Sequence, residues 1–220
     1  MVKFLLLALF YGDHPELAAR CCTTLRALWN TGQVDVRIGL NEVSPRTRAV
    51  VDGLLPGVDV ISADPQIYKY PMMRRLAFEY GGDATHMMWF DDDSCLLPGV
   101  EPRSWLRAVT QRAATVTGSL GALYQQRVTE VQKAWIREQP RYVGREVPDE
   151  LLFNTGGWKV VPLDLMRRFD WPNTTLHHAA GDVGWARCCT STGCSRNSSG
   201  WGSRSMPTRT CGSRPRRGGA

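Results

Sequence analysis

Three consecutive acidic residues, Asp91-Asp92-Asp93, follow directly on the apolar residues 87–90, with no spacer between them. Adjacent carboxylates repel one another, so the cluster is costly unless a cation neutralises it. Carboxylate oxygens at the carboxyl end of a strand suit Mg²⁺ or Mn²⁺, with the phosphates of a substrate completing the coordination. The triplet therefore predicts a divalent-metal site, and the alternative is a solvated acidic turn after an edge strand.

The residues around the triplet form a pattern of alternating strands and helices. Continuous apolar runs predict strands that are covered on both faces, and apolar residues at near-helical spacing predict the helices between them. The predicted strands are 2–10, 34–40, 58–61 and 86–90, and the predicted helices are 15–28, 44–54 and 71–80. This alternation predicts a Rossmann-like α/β fold, a mostly parallel central sheet flanked by helices, with the triplet after the fourth strand. The first strand is not followed by a dinucleotide-type glycine fingerprint, which argues against an NAD site.

The second half of the chain is more mixed. Helices are predicted over 105–114, 127–138 and 162–169, and strands over 116–124 and after a Gly-Gly bend within 153–161. In the helix over 127–138, the spacing places Val128, Val131 and Trp135 on one face.

The net charge of +6 is concentrated at one end of the chain. Residues 184–220 contain seven Arg, no Lys and no acidic residue, so the preceding 183 residues together carry −1. A nearly neutral body argues against a nucleic-acid-binding function. Residues 184–220 also contain no Leu, Ile, Val or Phe, so we expect a globular domain over 1–183 and a disordered tail.

The cysteines and the first apolar run indicate the cellular location of the protein. Cys21, Cys22 and Cys95 make a poor disulfide framework in the body, which favours a reducing, cytoplasmic location. The four tail cysteines lack the paired spacing of a zinc site. The apolar run 4–10 is too short to span a membrane and no small-residue cleavage site follows it. We therefore expect a buried first strand, neither a signal peptide nor an integral membrane segment.

A frameshift would explain the composition of the tail. Trp185 is encoded by TGG alone, so a displaced frame gives Leu, Met or Val followed by Gly there, and it gives Leu across Cys188-Cys189. With G+C-rich codons elsewhere, the displaced frame encodes an amphipathic helix followed by a strand, whereas the written frame has no apolar periodicity. The hypothesis is that 184–220 is a frameshift product, and DNA sequencing across codons 180–190 tests it.

An apolar strand followed by Asp-x-Asp, in the fourth strand of an α/β domain, resembles the GT-A glycosyltransferases, and Asp-Asp-Asp-Ser is similar to their family 2-like and Fringe-like members. The resemblance covers 1–183. It implies transfer of a sugar from a nucleotide-sugar donor to the hydroxyl of a sugar, glycan or other acceptor, with Mn²⁺ or Mg²⁺ as cofactor. Asp93 would then bind the metal that bridges the donor diphosphate, and Asp91 would contact the ribose or a water on that metal. Asp92 could share either role.

The resemblance also implies donor-binding residues outside the triplet. Tyr11 could stack on the base and Asp13 could accept a hydrogen bond from it, unless Gly12-Asp13 only forms a turn and caps the next helix. Lys69, Arg74 and Arg75 flank the start of the third helix, where similar enzymes place a cation against the nucleotide. Arg74 is our first choice because its planar guanidinium suits phosphates and base edges; a solvated basic face is the alternative.

A second motif, Asn154-Thr155-Gly156-Gly157-Trp158, lies downstream. Gly156 and Gly157 let the backbone approach a ligand closely, and Trp158 offers an apolar face to a sugar. The alternative is an ordinary bulge with a core tryptophan. The resemblance supports a donor-sugar pocket here, and it matches Asp182 to the acid that deprotonates the acceptor hydroxyl in inverting enzymes.

Three other functions share these motifs. Haloacid dehalogenase-type phosphatases also carry Asp-x-Asp after a strand, but that strand is normally the first of the domain. A nucleotidyltransferase combines a nucleotide with a metal in the same way, and a non-catalytic nucleotide- or sugar-binding remnant needs no turnover. For the transferase, we expect Tyr11, Asp13, Asp91, Asp93 and Asp182 to line one crevice.

Overall fold

The computed structural model of this chain describes residues 2–114, 120–121, 124–138, 143–144, 146–155, 157–172 and 208–210. In chain order the elements are β1 (Phe4–Gly12), α1 (Pro15–Trp29), β2 (Val34–Val43), α2 (Pro45–Leu54), β3 (Asp59–Ala63), α3 (Lys69–Phe78), β4 (His86–Phe90), β5 (Ser94–Leu96), α4 (Pro102–Ala113), β6 (Leu120–Gly121), β7 (Tyr124–Arg127), α5 (Glu130–Glu138), β8 (Leu152–Thr155), β9 (Trp158–Pro162), α6 (Leu163–Arg168) and β10 (Thr208–Thr210).

Strand β1 lies inside the main sheet and is buried on both faces. Because successive side chains of a strand point to opposite faces, its residues divide between two apolar clusters. Phe4, Leu6, Ala8 and Phe10 pack with residues of α1, α2 and α4. Leu5, Leu7 and Leu9 pack with residues of α3, α5 and α6. Helices on both faces explain why the run has no polar alternation.

The main sheet brings the ends of β1 and β4 together. Among the described residues it has six strands in the order β3-β2-β1-β4-β9-β6. The first four are parallel, and β9 runs antiparallel to both of its neighbours. Since the carboxyl ends of parallel strands lie at one edge, Tyr11 near the end of β1 and Asp91 after β4 share that edge. The predicted α/β fold with a mostly parallel sheet is confirmed.

Several boundaries differ from the prediction. Helix α3 begins at Lys69, two residues before Pro71, because Tyr68 precedes it with a positive φ of 68° that starts the turn early. Helix α5 begins at Glu130, and Val131 is 81% exposed, so the predicted face through Val131 is wrong. Lys133 is buried instead. Its ammonium donates to Glu130 and to the carbonyl of Asp149, which compensates for its burial.

The described residues of the tail are Thr208–Thr210, which form β10 and pair antiparallel with β5. Backbone pairing of this kind needs no apolar side chain, and the expectation of a disordered tail stays a prediction. The domain boundary at 183 and the frameshift hypothesis stay predictions.

Two further features concern cysteine and membranes. Cys95 is disulfide-bonded, which the sequence did not predict, whereas Cys21 and Cys22 are buried thiols. No helix in the described ranges is long and apolar enough to cross a membrane.

Candidate functional site

A crevice of about 300 Å³ opens at the carboxyl ends of β1, β2 and β4. Its walls come from the three strand ends, the triplet and the connection from β3 to α3. The lining residues are Leu9, Tyr11, Asn41, Gln66, Lys69, Trp89, Asp91, Asp92 and Asp93. In open α/β sheets ligands bind outside this edge, and the volume lies at the lower end of the range for small-molecule sites.

The turn that carries the triplet is anchored by the backbone of Gly157. Its carbonyl oxygen accepts from the backbone N–H of Asp91 at 2.7 Å and from the hydroxyl of Ser94 at 2.6 Å. The backbone N–H of Ser94 in turn donates to the carbonyl of Asp91 at 2.9 Å. The turn is thus held at both ends by hydrogen bonds, which fix its backbone relative to β9.

The carboxylate of Asp91 is oriented by two donors. The indole N–H of Trp89 and the ammonium of Lys69 both donate to its Oδ1 at 2.8 Å. The same ammonium lies 5.5 Å from the centre of the Trp89 ring. Trp89 is 1% exposed, so one donor comes from the core and the other from the wall of the crevice. Asp91 therefore has a single well-defined orientation.

Asp92 and Asp93 lie in less favourable surroundings for a charge. Asp92 is 9% exposed, and burial, followed by the charges of Asp93 and Asp91, raises its pKa to about 7. Burial and the charge of Asp91 also raise the pKa of Asp93, although nearby Lys69 opposes the shift. Repulsion within the triplet, inferred from the sequence, is thus present in the structure. A cation in the crevice would relieve it.

Asn41 was not among the predicted site residues. It is 2% exposed at the end of β2, and its Oδ1 accepts from the backbone N–H of Ile67 at 2.9 Å. This bond fixes the amide, so the side chain can offer its N–H₂ group to a ligand. The sequence signal was its position, because Asn41 directly follows the second predicted strand as Asp91 directly follows the fourth.

The two predicted residues of the first loop, Tyr11 and Asp13, have different surroundings in the structure. Tyr11 lines the crevice. The carboxylate of Asp13 accepts from the hydroxyl of Ser44 at 2.6 Å and lies 3.6 Å from the guanidinium of Arg46, near the start of α2. Asp13 is not among the residues that line the crevice, so the structure supports the turn alternative for it. The predicted contact of Asp13 with the base stays a prediction.

Arg74 was predicted to contact the nucleotide, and the structure places it elsewhere. Its guanidinium pairs with Asp170 at 2.6 Å, donates to the carbonyl of Pro172 at 3.0 Å and stacks on Phe78 at 4.6 Å. Those contacts tie α3 to the segment after α6. Lys69, at the first position of α3, is the cation that lines the crevice.

The downstream motif, residues 154–158, contributes to the core through Trp158 and to the site through Gly157. Trp158 is 1% exposed and packs edge-to-face on Trp105, with ring centroids 5.3 Å apart. Its predicted role as an exposed sugar platform is wrong, because β9 directs it into the core. Gly157 acts through its carbonyl, as described above. Gly156 and Asp182 lie outside the described residues, and their predicted roles stay predictions.

No three His, Cys, Asp or Glu side chains in the described ranges are arranged as a preformed metal centre. The position of the triplet nevertheless separates the site from one rival: it follows the fourth strand, not the first strand on which haloacid dehalogenase-type phosphatases carry their nucleophile.

The sheet order and the acidic crevice at its carboxyl edge define a class, and the chain has the fold of the GT-A glycosyltransferases. A mannosyltransferase from Pyrobaculum calidifontis, solved with GDP-mannose and Mn²⁺, matches 86% of this chain and 51% of its own, with 12% identity and a TM-score of 0.56. Residues 1–349 of TarS from S. aureus, solved with UDP, match 85% of this chain and 55% of their own, with 11% identity and a TM-score of 0.54. The chain spans about half the length of these two structures. No protein-family model matches the sequence, and no curated protein matches it.

Proposed function

We propose that this protein transfers a sugar from a nucleotide-sugar donor to an acceptor hydroxyl, with a divalent cation and with inversion at the sugar. The observation that carries the proposal is the convergence of the acidic triplet, Lys69, Tyr11 and Asn41 in one crevice at the carboxyl edge of the sheet. The two solved structures of the same fold hold GDP-mannose with Mn²⁺ and UDP, which supports a nucleotide as the ligand.

The crevice offers complementary groups for each part of a nucleoside diphosphate. The ring of Tyr11 can stack on a base, and the fixed amide of Asn41 can donate to a base carbonyl. The ammonium of Lys69 lies in the same crevice, 2.8 Å from Oδ1 of Asp91, where it can meet a phosphate. The chain's own residues would thus orient the donor with its diphosphate towards Asp91 and Asp93.

The donor set fits a hard divalent cation. Three carboxylates and the Lys69 ammonium line the crevice, and burial with mutual repulsion raises the pKa of Asp92 and Asp93. An added cation would therefore stabilise their ionised forms. Mg²⁺ and Mn²⁺ are commonly held by one or two carboxylates and completed by phosphates and water. We assign Asp91 and Asp93 as the protein ligands. When bound, the ion would stabilise the charge that develops on the leaving diphosphate.

Asp182 is the proposed base. A carboxylate must lie within hydrogen-bond reach of the acceptor hydroxyl to remove its proton as the bond to the sugar forms. The assignment rests on the resemblance, and it makes Asp182→Asn the variant that should lose transfer while it keeps nucleotide affinity.

Nucleotide binding tests the proposal. UDP and GDP affinities should be measured by calorimetry with Mn²⁺ and with EDTA, for the whole chain and for Asp93→Asn. Asp93 is a better target than Asp91, because Asp91 also holds Trp89 and Lys69. We expect at least one nucleotide to bind with Mn²⁺ and to lose about tenfold or more in affinity in EDTA or in Asp93→Asn.

Asp83→Asn is the matched control. It removes one exposed carboxylate, paired with Lys3 near the amino end of β1, far from the crevice. It should bind nucleotide as the wild-type chain does. Unchanged affinity in EDTA would reject the metal assignment, and binding without turnover of any nucleotide sugar would favour the non-catalytic remnant.

A further inference from the structure

Lys69 and Asp91 form an ion pair with each other, whereas the proposed function requires Asp91 to bind a metal ion and Lys69 to bind a phosphate. Lys69 Nζ lies 2.8 Å from Asp91 Oδ1, with only 23% of the Lys69 side chain and 30% of the Asp91 side chain exposed. A pair in such a crevice is less screened by solvent than a surface pair. Its strength therefore bears directly on what else Asp91 can bind.

The dipole of α3 disfavours a positive charge at the position of Lys69. Lys69 is the first residue of α3, and the first turn of α3 contains no acidic residue. The amino end of a helix carries partial positive charge, which disfavours a cation and favours an anion. The ammonium is stabilised by the carboxylate of Asp91 and by the Trp89 ring, whose centre lies 5.5 Å away. As a cation that lines the crevice, it can also bind an anionic ligand.

The net charge of the crevice indicates that a divalent cation binds before the diphosphate does. With Asp91, Asp92 and Asp93 ionised, the triplet and Lys69 carry −2 together, which repels a diphosphate. A divalent cation brings the sum to zero, and the carboxylates then need the ammonium less. An arriving diphosphate attracts it instead.

We propose that Lys69 is a positioning counter-ion that exchanges partners. It holds Oδ1 of Asp91 while the crevice lacks a divalent cation, and it moves to the donor diphosphate once a cation has neutralised the triplet. This inference rests on the proposed function and adds a regulation to it, because Lys69 then opposes metal binding alone and favours metal and diphosphate together. Removal of its charge should shift the two affinities in opposite directions.

The test uses Lys69→Met and needs no sugar nucleotide. Mn²⁺ binding to the whole chain is measured by electron paramagnetic resonance, and inorganic pyrophosphate binding is measured by calorimetry at saturating Mn²⁺. We expect Lys69→Met to bind Mn²⁺ alone about 3- to 30-fold more tightly, because a competing charge is gone. We expect it to bind pyrophosphate about 10-fold more weakly, because a charge-assisted hydrogen bond is lost.

Two variants separate this effect from general charge and folding. Lys69→Arg keeps the charge and should leave Mn²⁺ affinity within about threefold of the wild type. Arg75→Met removes a cation from the same helix, one that pairs with Glu79 at 3.0 Å and lies outside the crevice lining. It should change neither affinity. Circular dichroism melts of all variants check that each is folded.

Each result of these binding measurements either supports or overturns the proposed exchange. Mn²⁺ affinity that is unchanged or weaker in folded Lys69→Met overturns the proposal, and so does an absence of Mn²⁺ binding in every variant. Tighter Mn²⁺ binding with unchanged pyrophosphate affinity also overturns it, because Lys69 would not exchange partners. If both affinities shift as expected but no nucleotide binds, the exchange stands and the proposed function fails.

Discussion

Helix α3 packs closely on the sheet at Gly39, and a single methyl group there should disturb both stability and the crevice. A Cβ at Gly39 would lie 2.7 Å from Cγ of Met72, and 3.1 and 3.2 Å from Cδ1 of Leu9 and Leu76. Met72 and Leu76 belong to α3, the helix whose first residue is Lys69. Gly39→Ala therefore pushes on the helix that positions the Lys69 ammonium.

The cost follows from these distances. A separation of 2.7 Å between carbon atoms is more than half an ångström inside their contact distance, and Cγ of Met72 cannot move far because the residue is fully buried. Overpacking of a buried site costs about 1–3 kcal/mol. We expect urea unfolding, followed by tryptophan fluorescence, to show Gly39→Ala less stable by that amount, with an unchanged m-value.

Gly53→Ala is the matched control, because it adds the same methyl group where nothing lies within 4 Å. Gly53 is in α2, and replacing a helical glycine with alanine stabilises a protein by about 0.5–1 kcal/mol. The two glycine-to-alanine variants should therefore change stability in opposite directions.

A double-mutant cycle tests the assigned contact. Met72→Ala removes Cγ and should cost about 2–5 kcal/mol alone. In that background Gly39→Ala should cost little, giving a coupling of about 1 kcal/mol or more. Equal stability of Gly39→Ala and the wild type, or the same cost in both backgrounds, would refute the packing argument.

Two further predictions concern the charges around the crevice. Because the folded chain raises the pKa of Asp92 from 3.8 to about 7, it binds a proton that the unfolded chain releases, so stability should fall as the pH rises between these values. In EDTA this loss between pH 5 and 8 should be larger in wild type than in Asp92→Asn by on the order of a few kcal/mol, and equal losses would contradict the assignment. Arg74→Met should lower the unfolding free energy by about 1 kcal/mol through lost contacts with Asp170 and Phe78. It should leave UDP and GDP affinities within about twofold, and a tenfold loss would restore the sequence-based role of Arg74.

The features predicted correctly from sequence are those that local patterns determine. The apolar run of β1 needs helices on both faces, whatever those helices are. The triplet follows β4 directly, so once the sheet is parallel its edge is fixed, and Tyr11 at the end of β1 must lie at the same edge. The α/β fold and the centre of the crevice required no knowledge of distant contacts.

The errors arose where a distant segment decides the environment. Arg74 and Lys69 are five residues apart, and α3 begins at Lys69 because of the backbone at Tyr68. Asp170 and Pro172, almost a hundred residues later, then bind Arg74. Neither the chemistry of the guanidinium nor helical periodicity contains that information. Trp158 was misassigned for the same kind of reason, since its burial depends on Trp105 in α4.

The triplet itself shows how one residue type acquires three behaviours from its surroundings. Asp91 receives hydrogen bonds from Trp89 and Lys69, so its charge is stabilised and its orientation is fixed. Asp92 is buried and its pKa is the one raised to about 7, so burial and its two acidic neighbours disfavour its charge. Asp93 is half-buried beside both of them. In the described part of the chain its carboxylate makes no hydrogen bond to another side chain, which is why Asp93→Asn tests metal binding with the least disturbance of the fold.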